Sequence, residues 1–554
     1  MNELLSVVIP ARDSRPWVGE LLESILRQDV AALEVVVVDN QSVDGTAEFV
    51  AQVALKDDRV RLIRSDATTA AQARNEGTAA ASGAYLVFAD SDDIVPDGAY
   101  RAMLESLVTS GSDMAIGDHL KFSPTATWSP TARWRAFDRR RTSVVPVDAA
   151  ELLTGRACWN RMFRRSFWDR VELRFPEIPS VDDIAPMTRA FVNARAVDVV
   201  PVPVYLYRDR SDGSSISQQA DAVTTIRYLH QEIACAQLVA AWPRLRSQHA
   251  VMVLDADGWA HIARFVASDP VPADVMSVRA ALSRLLELIP LDALAEVAPV
   301  RRVMWALVLL GDWNALTAFA SGVVPGSDAR ARLDAWISAL VVIDAADPSP
   351  IDVADLMAQG LLPALVNGAE DVPEEWIAEA LPALRSLPVA GSEPGLRTAM
   401  VGAIETDEPA AVRAVSELRH VVPLVVQTAT PTDGGLEIAG ALTTTGNVPE
   451  LTLVLRSDAE VVSVPVRKTA GAWNASLHAD DLHQGRWTVS VTAGGITGTF
   501  PVVTARMALP PVAEHFLIQP LADRKNGWRF VLDRRVPPKK SIAAALARFR
   551  RRSR

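Results

Sequence analysis

The 554-residue chain reads as an α/β domain with a mainly parallel, doubly wound sheet over residues 1–220, then an α-helical domain over 221–417, a small β-sandwich over 418–510 and a basic segment over 511–554. Three textures predict this order. From residue 5 to 90, short β-branched runs alternate with helical periodicity, the pattern of βαβ units. From about 220 to 415, alanine, leucine and arginine recur at helical spacing, interrupted by Pro270, Pro272, Pro348 and Pro350. Beyond 418 the apolar residues repeat every second position between turn clusters such as Asp433-Gly434-Gly435 and Gly494-Gly495, the spacing of a sandwich of immunoglobulin-like size.

Val7-Val8-Ile9 form the first strand, and residues 34–39 (EVVVVD) a second, continuously apolar as a strand buried on both faces must be. Between them Pro16 opens a helix whose Trp17, Leu21, Ile25 and Leu26 share a face. A third strand spans 60–63 and a fourth 84–89. Ser42, followed by Gly45 and Thr46, starts one intervening helix; the Ala-rich stretch 69–81, closed by Gly83, makes the other. After Asp93 the alternation loosens, and residues 197–207 close the domain as strand material. The later strands fall at 421–426, 451–455, 461–466, 473–477, 487–491 and 497–503, and residues 541–554 make a short basic helix.

A chain this long exceeds what one core supports, and 49% hydrophobic with 22% charged residues excludes wholesale disorder. Two cysteines, Cys158 and Cys235, exclude a disulfide framework and fit a reducing compartment. The start lacks the basic and apolar regions of a secretory signal, and the longest apolar stretches, 303–310 and 339–343, fall short of the roughly 20 residues of a spanning helix. The expected place is therefore cytoplasmic, peripheral at the inner face of the cell membrane at most. The net charge of −11 speaks against nucleic acid as a partner. Residues 524–554 are the exception, with twelve Lys and Arg against Asp533. There Ile542, Leu546 and Phe549 share a helical face among Lys539, Lys540, Arg548 and Arg550 to Arg552, which suits either an anionic lipid surface or a solvated tail.

In a doubly wound sheet, ligands bind beyond the carboxyl ends of the strands. Asp39 ends the second strand, and Asp90, Ser91 and Asp92 follow the fourth. An Asp-x-Asp loop offers hard oxygen ligands to Mn²⁺ or Mg²⁺, which bridges the phosphates of a nucleoside diphosphate. Taken alone, the same acidic turn reads equally as a solvated loop or a cap ahead of Pro96. No Gly-x-Gly-x-x-Gly, zinc motif or P-loop is present.

The stretches SVVIPARD (6–13), VVVVDNQSVDGT (35–46), AQARNEGTAAASGAYLVFADSDD (71–93) and CWNRMFRRSFW (158–168) together resemble the family-2 inverting glycosyltransferases of the GT-A fold, over residues 4–220. The resemblance implies that Pro10 and Asp39 line the nucleobase pocket, with Asp39 accepting from the base, that Arg74 contacts the nucleotide, and that Asp90-Ser91-Asp92 binds the diphosphate, Asp90 and Asp92 holding the metal. Asp66 stands where relatives with a uridine donor often carry Asn, so UDP is expected but on an altered background. Ser180-Val181-Asp182-Asp183-Ile184 occupies the place of the family's Glu-Asp followed by an apolar residue; Asp183 matches the catalytic base and Asp182 replaces Glu. The same residues also approximate a helix capping box, and Asp182 suits a first helical turn, where a charge contributes under about 1 kcal/mol. Arg208 and Arg210, ahead of the Ser-bearing stretch 211–217, resemble the family's basic segment after the last strand, whose guanidinium forks fit phosphates; an exposed loop is the plainer reading. Trp159 and Asn160 belong to the acceptor side or to the core.

The expected function is metal-dependent, inverting transfer of a sugar from a nucleoside-diphosphate donor to a hydroxyl of a cell-surface glycan or polyol-phosphate polymer. The modular layout resembles bacterial cell-surface polymer glycosyltransferases, including wall-teichoic-acid enzymes, whose C-terminal modules oligomerise or engage the polymer; a homo-oligomer is implied on that analogy. The alternatives are a non-catalytic nucleotide-sugar scaffold and a glycan-binding role centred on the β-sandwich. Intact Asp39, Asp90, Asp92 and Asp183 weigh against the scaffold.

Overall fold

β1 (Leu5–Ala11) and β2 (Leu33–Asn40) are buried almost throughout, which is why both read as apolar runs rather than alternating ones. They lie at the heart of a nine-stranded sheet in a computed structural model that describes residues 4–210, 221–347, 350–390, 395–432, 435–442, 448–469, 471–483, 485–504, 517–523 and 527–533. The chain divides into two compact units, 1–301 and 302–554.

In the first unit the strand order is β3-β2-β1-β4-β8-β5-β9-β7, with β6 on β5. The remaining strands are β3 (Val60–Ser65), β4 (Tyr85–Phe88), β5 (Met114–Phe122), β6 (Thr127–Trp128), β7 (Arg141–Val144), β8 (Arg161–Arg164) and β9 (Val197–Arg208). β1 to β4 pair in parallel, as expected. Beyond them the sheet is mixed, because β8 inserts antiparallel between β4 and β5 and β7 pairs antiparallel with β9. A mainly parallel sheet thus describes only the half with short βαβ connections; after Asp93 no crossover periodicity constrains strand direction. The register sets Ala11 beside Asp39 and Asp39 beside Arg64, so β1, β2 and β3 end within a residue of one another, while β4 ends at Phe88 beside Val8 and hands over to its loop three residues earlier.

The helices between them are α1 (Val18–Leu26), α2 (Thr46–Ala54) and α3 (Ala70–Ala80). α1 starts two residues after Pro16, with Val18, Leu21, Leu22 and Ile25 buried and Trp17 only half-buried at the cap. α2 starts at Thr46 behind the left-handed Gly45, and Asp44 rather than Ser42 accepts from the Thr46 amide, at 3.0 Å. Thr69 caps α3 by accepting from Gln72. α3 approaches β1 so closely that a Cβ on Gly77 would lie 2.5 Å from a Val8 methyl, and this contact sets Arg74 near the carboxyl edge. After them come α4 (Ala99–Ser110), α5 (Arg165–Arg170), α6 (Ile184–Asn193), α7 (Ala222–Val239), α8 (Pro243–Asp255) and α9 (Asp257–Ala267).

α7 to α9 dock on the sheet domain through a buried polar net. Arg156 donates to both Glu232 oxygens at 2.7 Å and to Asp257 at 3.0 Å, and His249 Nε2 meets Glu232 at 2.8 Å. Burial alone would raise the Glu232 pKa; Arg156 and His249 outweigh it and hold the carboxyl far below its ordinary range. The helices that the sequence groups together after residue 220 are therefore shared between the two units.

The second unit holds the later helices, from Trp313–Gly322 to Pro409–Leu418, and two sheets. Strands Leu451–Arg456 and Ala472–His478 alternate buried and half-buried residues, the period-two texture of the sequence made real. Strand Gly527–Asp533 extends one sheet by pairing with Gly485–Ala493, and Leu517–Asp523 pairs with it in turn, so strand structure reaches into the segment distinguished on sequence only by its charge. The basic stretch 539–554 and the Ser-bearing stretch 211–217 lie outside the described residues. Among the described residues, no helix is long and apolar enough to cross a membrane.

Candidate active site

At the carboxyl edge the loops after β1 and β2 are stitched together. The Asp13 amide donates to Ser42 Oγ, the Val43 amide to Asp13 Oδ1, the Arg15 amide to Asp44 Oδ2 and the Ser14 amide to Thr46 Oγ1, all at 2.8 to 2.9 Å. Asp39 is 4% exposed at the end of β2. Its Oδ2 accepts from the Ser42 amide at 3.3 Å, while its buried Oδ1 has no donor among the described residues. Because Asp44 accepts from both the amide and the hydroxyl of Thr46 at the start of α2, Asp39 keeps an acceptor for something else. Leaving a buried acceptor unmet costs about 1–3 kcal/mol, which a ligand N–H would offset. Pro10 is buried one register step from it. Asp66 is exposed just after β3, its carbonyl accepting from Gln41 Nε2 at 3.0 Å.

The loop after β4 brings four consecutive residues to this edge. The Asp90 amide donates to the Tyr205 hydroxyl at 2.8 Å, fixing the loop to β9. Ser91 is buried. Asp93 is almost fully buried and accepts from the Arg208 amide at 2.7 Å; burial, then Asp92 and Asp90, hold its carboxyl well above the ordinary range. Asp92 is also raised, first by burial and next by Asp90, with Arg210 opposing. The loop is thus a crowded set of hard oxygen donors short of positive charge, which is the chemistry a divalent cation satisfies.

Two basic groups partly meet that demand. Arg74, from α3, donates to Asp90 Oδ1 at 2.6 Å and to Asp182 Oδ2 at 2.5 Å, and its guanidinium lies 5.4 Å from the Phe175 ring centre. Burial disfavours its charge, and Asp182 with Asp90 outweighs burial. Arg210, just after β9, donates to Asp92 Oδ2 through Nε at 2.8 Å and through a second nitrogen. Arg208 instead donates to the Asp92 carbonyl at 2.7 Å and to Glu20 at 2.6 Å.

Across Arg74 lies the acidic pair before α6. Asp183 occupies the N-cap position, yet its side chain makes no cap bond, and the buried Ser180 hydroxyl has no partner among the described residues. The capping box suggested by the sequence is not formed. Asp182 is 8% exposed and paired with Arg74, so it is no surface charge on a first helical turn; the burial of Arg74 draws it inward. Burial and then Asp182, with Arg74 opposing, push the Asp183 carboxyl up to about 7. Val181, immediately before the pair, has φ +60°, a conformation that a β-branched residue occupies at a cost of order 1 kcal/mol or more. Asn tolerates this conformation, so Val181→Asn is expected to gain about 1 kcal/mol in stability; a lower urea midpoint would contradict that.

The contacts of several supporting residues were beyond sequence reading. Asn75, which follows Arg74 in the stretch 71–93, exchanges two hydrogen bonds with the Phe175 backbone, at 2.8 and 3.0 Å, holding that ring under Arg74. The Tyr205 bond to Asp90 and the place of Trp17 beside Arg210 emerge only from the three-dimensional arrangement. Trp159 stacks on Tyr205 at 4.4 Å and is buried, and Asn160 is fully buried and donates to the Gly117 carbonyl, so Asn160 belongs to the core.

Residues 6–171 match the family described as Glycosyl transferase family 2. Glycosyltransferase GlyG of Streptococcus pneumoniae is 32% identical over 123 residues, 22% of this chain and 41% of that protein. The uncharacterized glycosyltransferase EpsJ of Bacillus subtilis is 26% identical over 213 residues, 38% of this chain and 62% of that protein. The chain therefore spans less than two thirds of either relative. Residues 1–349 of S. aureus TarS, solved in complex with UDP-GlcNAc, superpose with a TM-score of 0.48 at 17% identity, covering 59% of this chain and 93% of that one.

Proposed function

We propose that this chain, whose residues 6–171 form a glycosyl transferase family 2 domain, transfers a sugar with inversion from a nucleoside diphosphate, UDP by preference, to a hydroxyl of a cell-surface glycan or polyol-phosphate polymer at the cytoplasmic face of the membrane. The observation that carries this reading is the convergence of the acidic loop after β4 and the acidic pair before α6 on one buried guanidinium, Arg74. That arrangement brings the acidic loop and a raised carboxylate together around one guanidinium, which supports reading the first as the diphosphate-binding loop and the second as the base.

Asp39 Oδ1 is the acceptor for a base N–H, beside Pro10 and Asp66. Asp90 and Asp92 would hold a Mn²⁺ or Mg²⁺ ion, which when bound neutralises the leaving diphosphate. Asp183 receives the proton of the acceptor hydroxyl as its oxygen bonds to the anomeric carbon and the bond to the diphosphate breaks. Arg74 keeps Asp90 and Asp182 in fixed relation while this occurs, and Arg208 anchors the acidic loop through the Asp92 carbonyl.

Ligand-induced thermal shift tests the donor assignment. At about 100 times its Kd, UDP with Mn²⁺ adds about 2.7 kcal/mol to the stability of the folded state. GDP should add much less, and Asp39→Ala should lose the distinction. Equal shifts from all nucleoside diphosphates would remove the case for uridine.

A further inference from the structure

We infer that Arg210 holds Asp92 in place of the divalent cation and releases it only when metal and nucleotide bind together, making the two ligands mutually dependent. The inference rests on the reading of Asp90 and Asp92 as metal ligands and adds a role for a residue of this chain.

The two arginines after β9 engage the acidic loop differently. The Arg208 side chain donates to the Asp92 backbone carbonyl and to Glu20, with its guanidinium 4.7 Å from the Phe122 ring centre; its amide bonds Asp93, but none of the side-chain contacts uses a carboxylate of the acidic loop. Arg210 directs two nitrogens at a single carboxylate oxygen, Asp92 Oδ2, and lies 4.4 Å from the Trp17 ring centre. Asp92 and Arg210 are both largely shielded, with side chains 16% and 25% exposed. A metal ion at a bonding distance of about 2.1 Å from that oxygen would bring two positive centres within a few ångströms of each other in a partly dry site, so the oxygen serves one or the other.

Arg210 can leave at little cost only where another anion receives its fork, and the diphosphate of the donor is that anion. Metal without nucleotide must therefore displace Arg210 into water. Nucleotide without metal finds Arg210 committed to Asp92. Together each relieves the other, and by linkage the coupling is equal in both directions. Trp17 supplies a flat surface on which the guanidinium rests while it is held.

Mn²⁺ binding to the full-length protein, read from the free-ion EPR signal at pH 8 with and without UDP, tests this. Arg210→Gln is expected to tighten Mn²⁺ binding in the absence of UDP by about ten-fold or more, the scale of hydrogen bonds to a charged group. It should also shrink the gain in Mn²⁺ affinity that UDP confers on the wild type. Arg208→Gln should not tighten Mn²⁺, and Asp92→Asn should weaken it in every condition. Unchanged or weaker Mn²⁺ binding by Arg210→Gln, with wild-type binding present alongside UDP, overturns the inference and leaves the metal assignment intact. No Mn²⁺ binding by the wild type with UDP overturns the metal assignment and the inference with it.

Discussion

Replacing Asp183 with asparagine is expected to cut transfer by about 10²- to 10⁴-fold while leaving UDP and Mn²⁺ affinity nearly unchanged, because a general base acts on the acceptor alone. Stability should move the other way. The folded state raises the Asp183 carboxyl to about 7, by burial and by Asp182, so it disfavours the ionised form. Ionised Asp183 then costs stability above the unfolded value of about 3.9, and the cost is complete above about 7. Asparagine removes it: the variant should melt higher than the wild type at pH 8, and the difference should vanish near pH 4. The acid limb of wild-type kcat/KM should rise through about pH 7 as the base loses its proton. A capping residue predicts none of this, since asparagine caps as well as aspartate does. A near-wild-type turnover number for Asp183→Asn would leave the acceptor side without its base.

The second large effect belongs to Arg74. Arg74→Met strands Asp182 in a buried position and strips Asp90 of its partner, and breaking a buried pair by removing one member costs about 3–5 kcal/mol. The urea midpoint should fall accordingly at unchanged slope. Asp182→Asn should cost more than the roughly 1 kcal/mol of an exposed helix-start charge, because its oxygen is held by that guanidinium. Arg74→Lys should not rescue, since one ammonium cannot span the two carboxylates as the planar fork does. Wild-type stability in Arg74→Met would mean that the bridge is incidental.

What the sequence made legible here is what local chemistry determines. Continuous apolar runs identify β1 and β2, and the rule that ligands gather beyond parallel strand ends puts Asp39 and Asp90 to Asp92 on one edge from the sequence alone. What it concealed depends on contacts far apart in the chain. Arg74 and Asp182 are 108 residues apart, and a Ser-x-x-Asp pattern read locally as a cap when the buried guanidinium decides how Asp182 sits. The left-handed Val181 carries no signal, because valine is among the residues least expected there. β8 runs antiparallel because it pairs with β4 and β5 from a stretch without periodicity, and nothing in its four residues encodes direction.

The most direct measurement is release of nucleoside diphosphate from a panel of UDP- and GDP-sugars by the full-length protein, supplied with a polyol-phosphate polymer, in Mn²⁺ and in EDTA. Release from a UDP-sugar that stops in EDTA and returns with Mn²⁺ or Mg²⁺ is the predicted result. Undiminished release in EDTA, or no release from any nucleotide sugar, would contradict metal-dependent glycosyl transfer at Asp90 and Asp92.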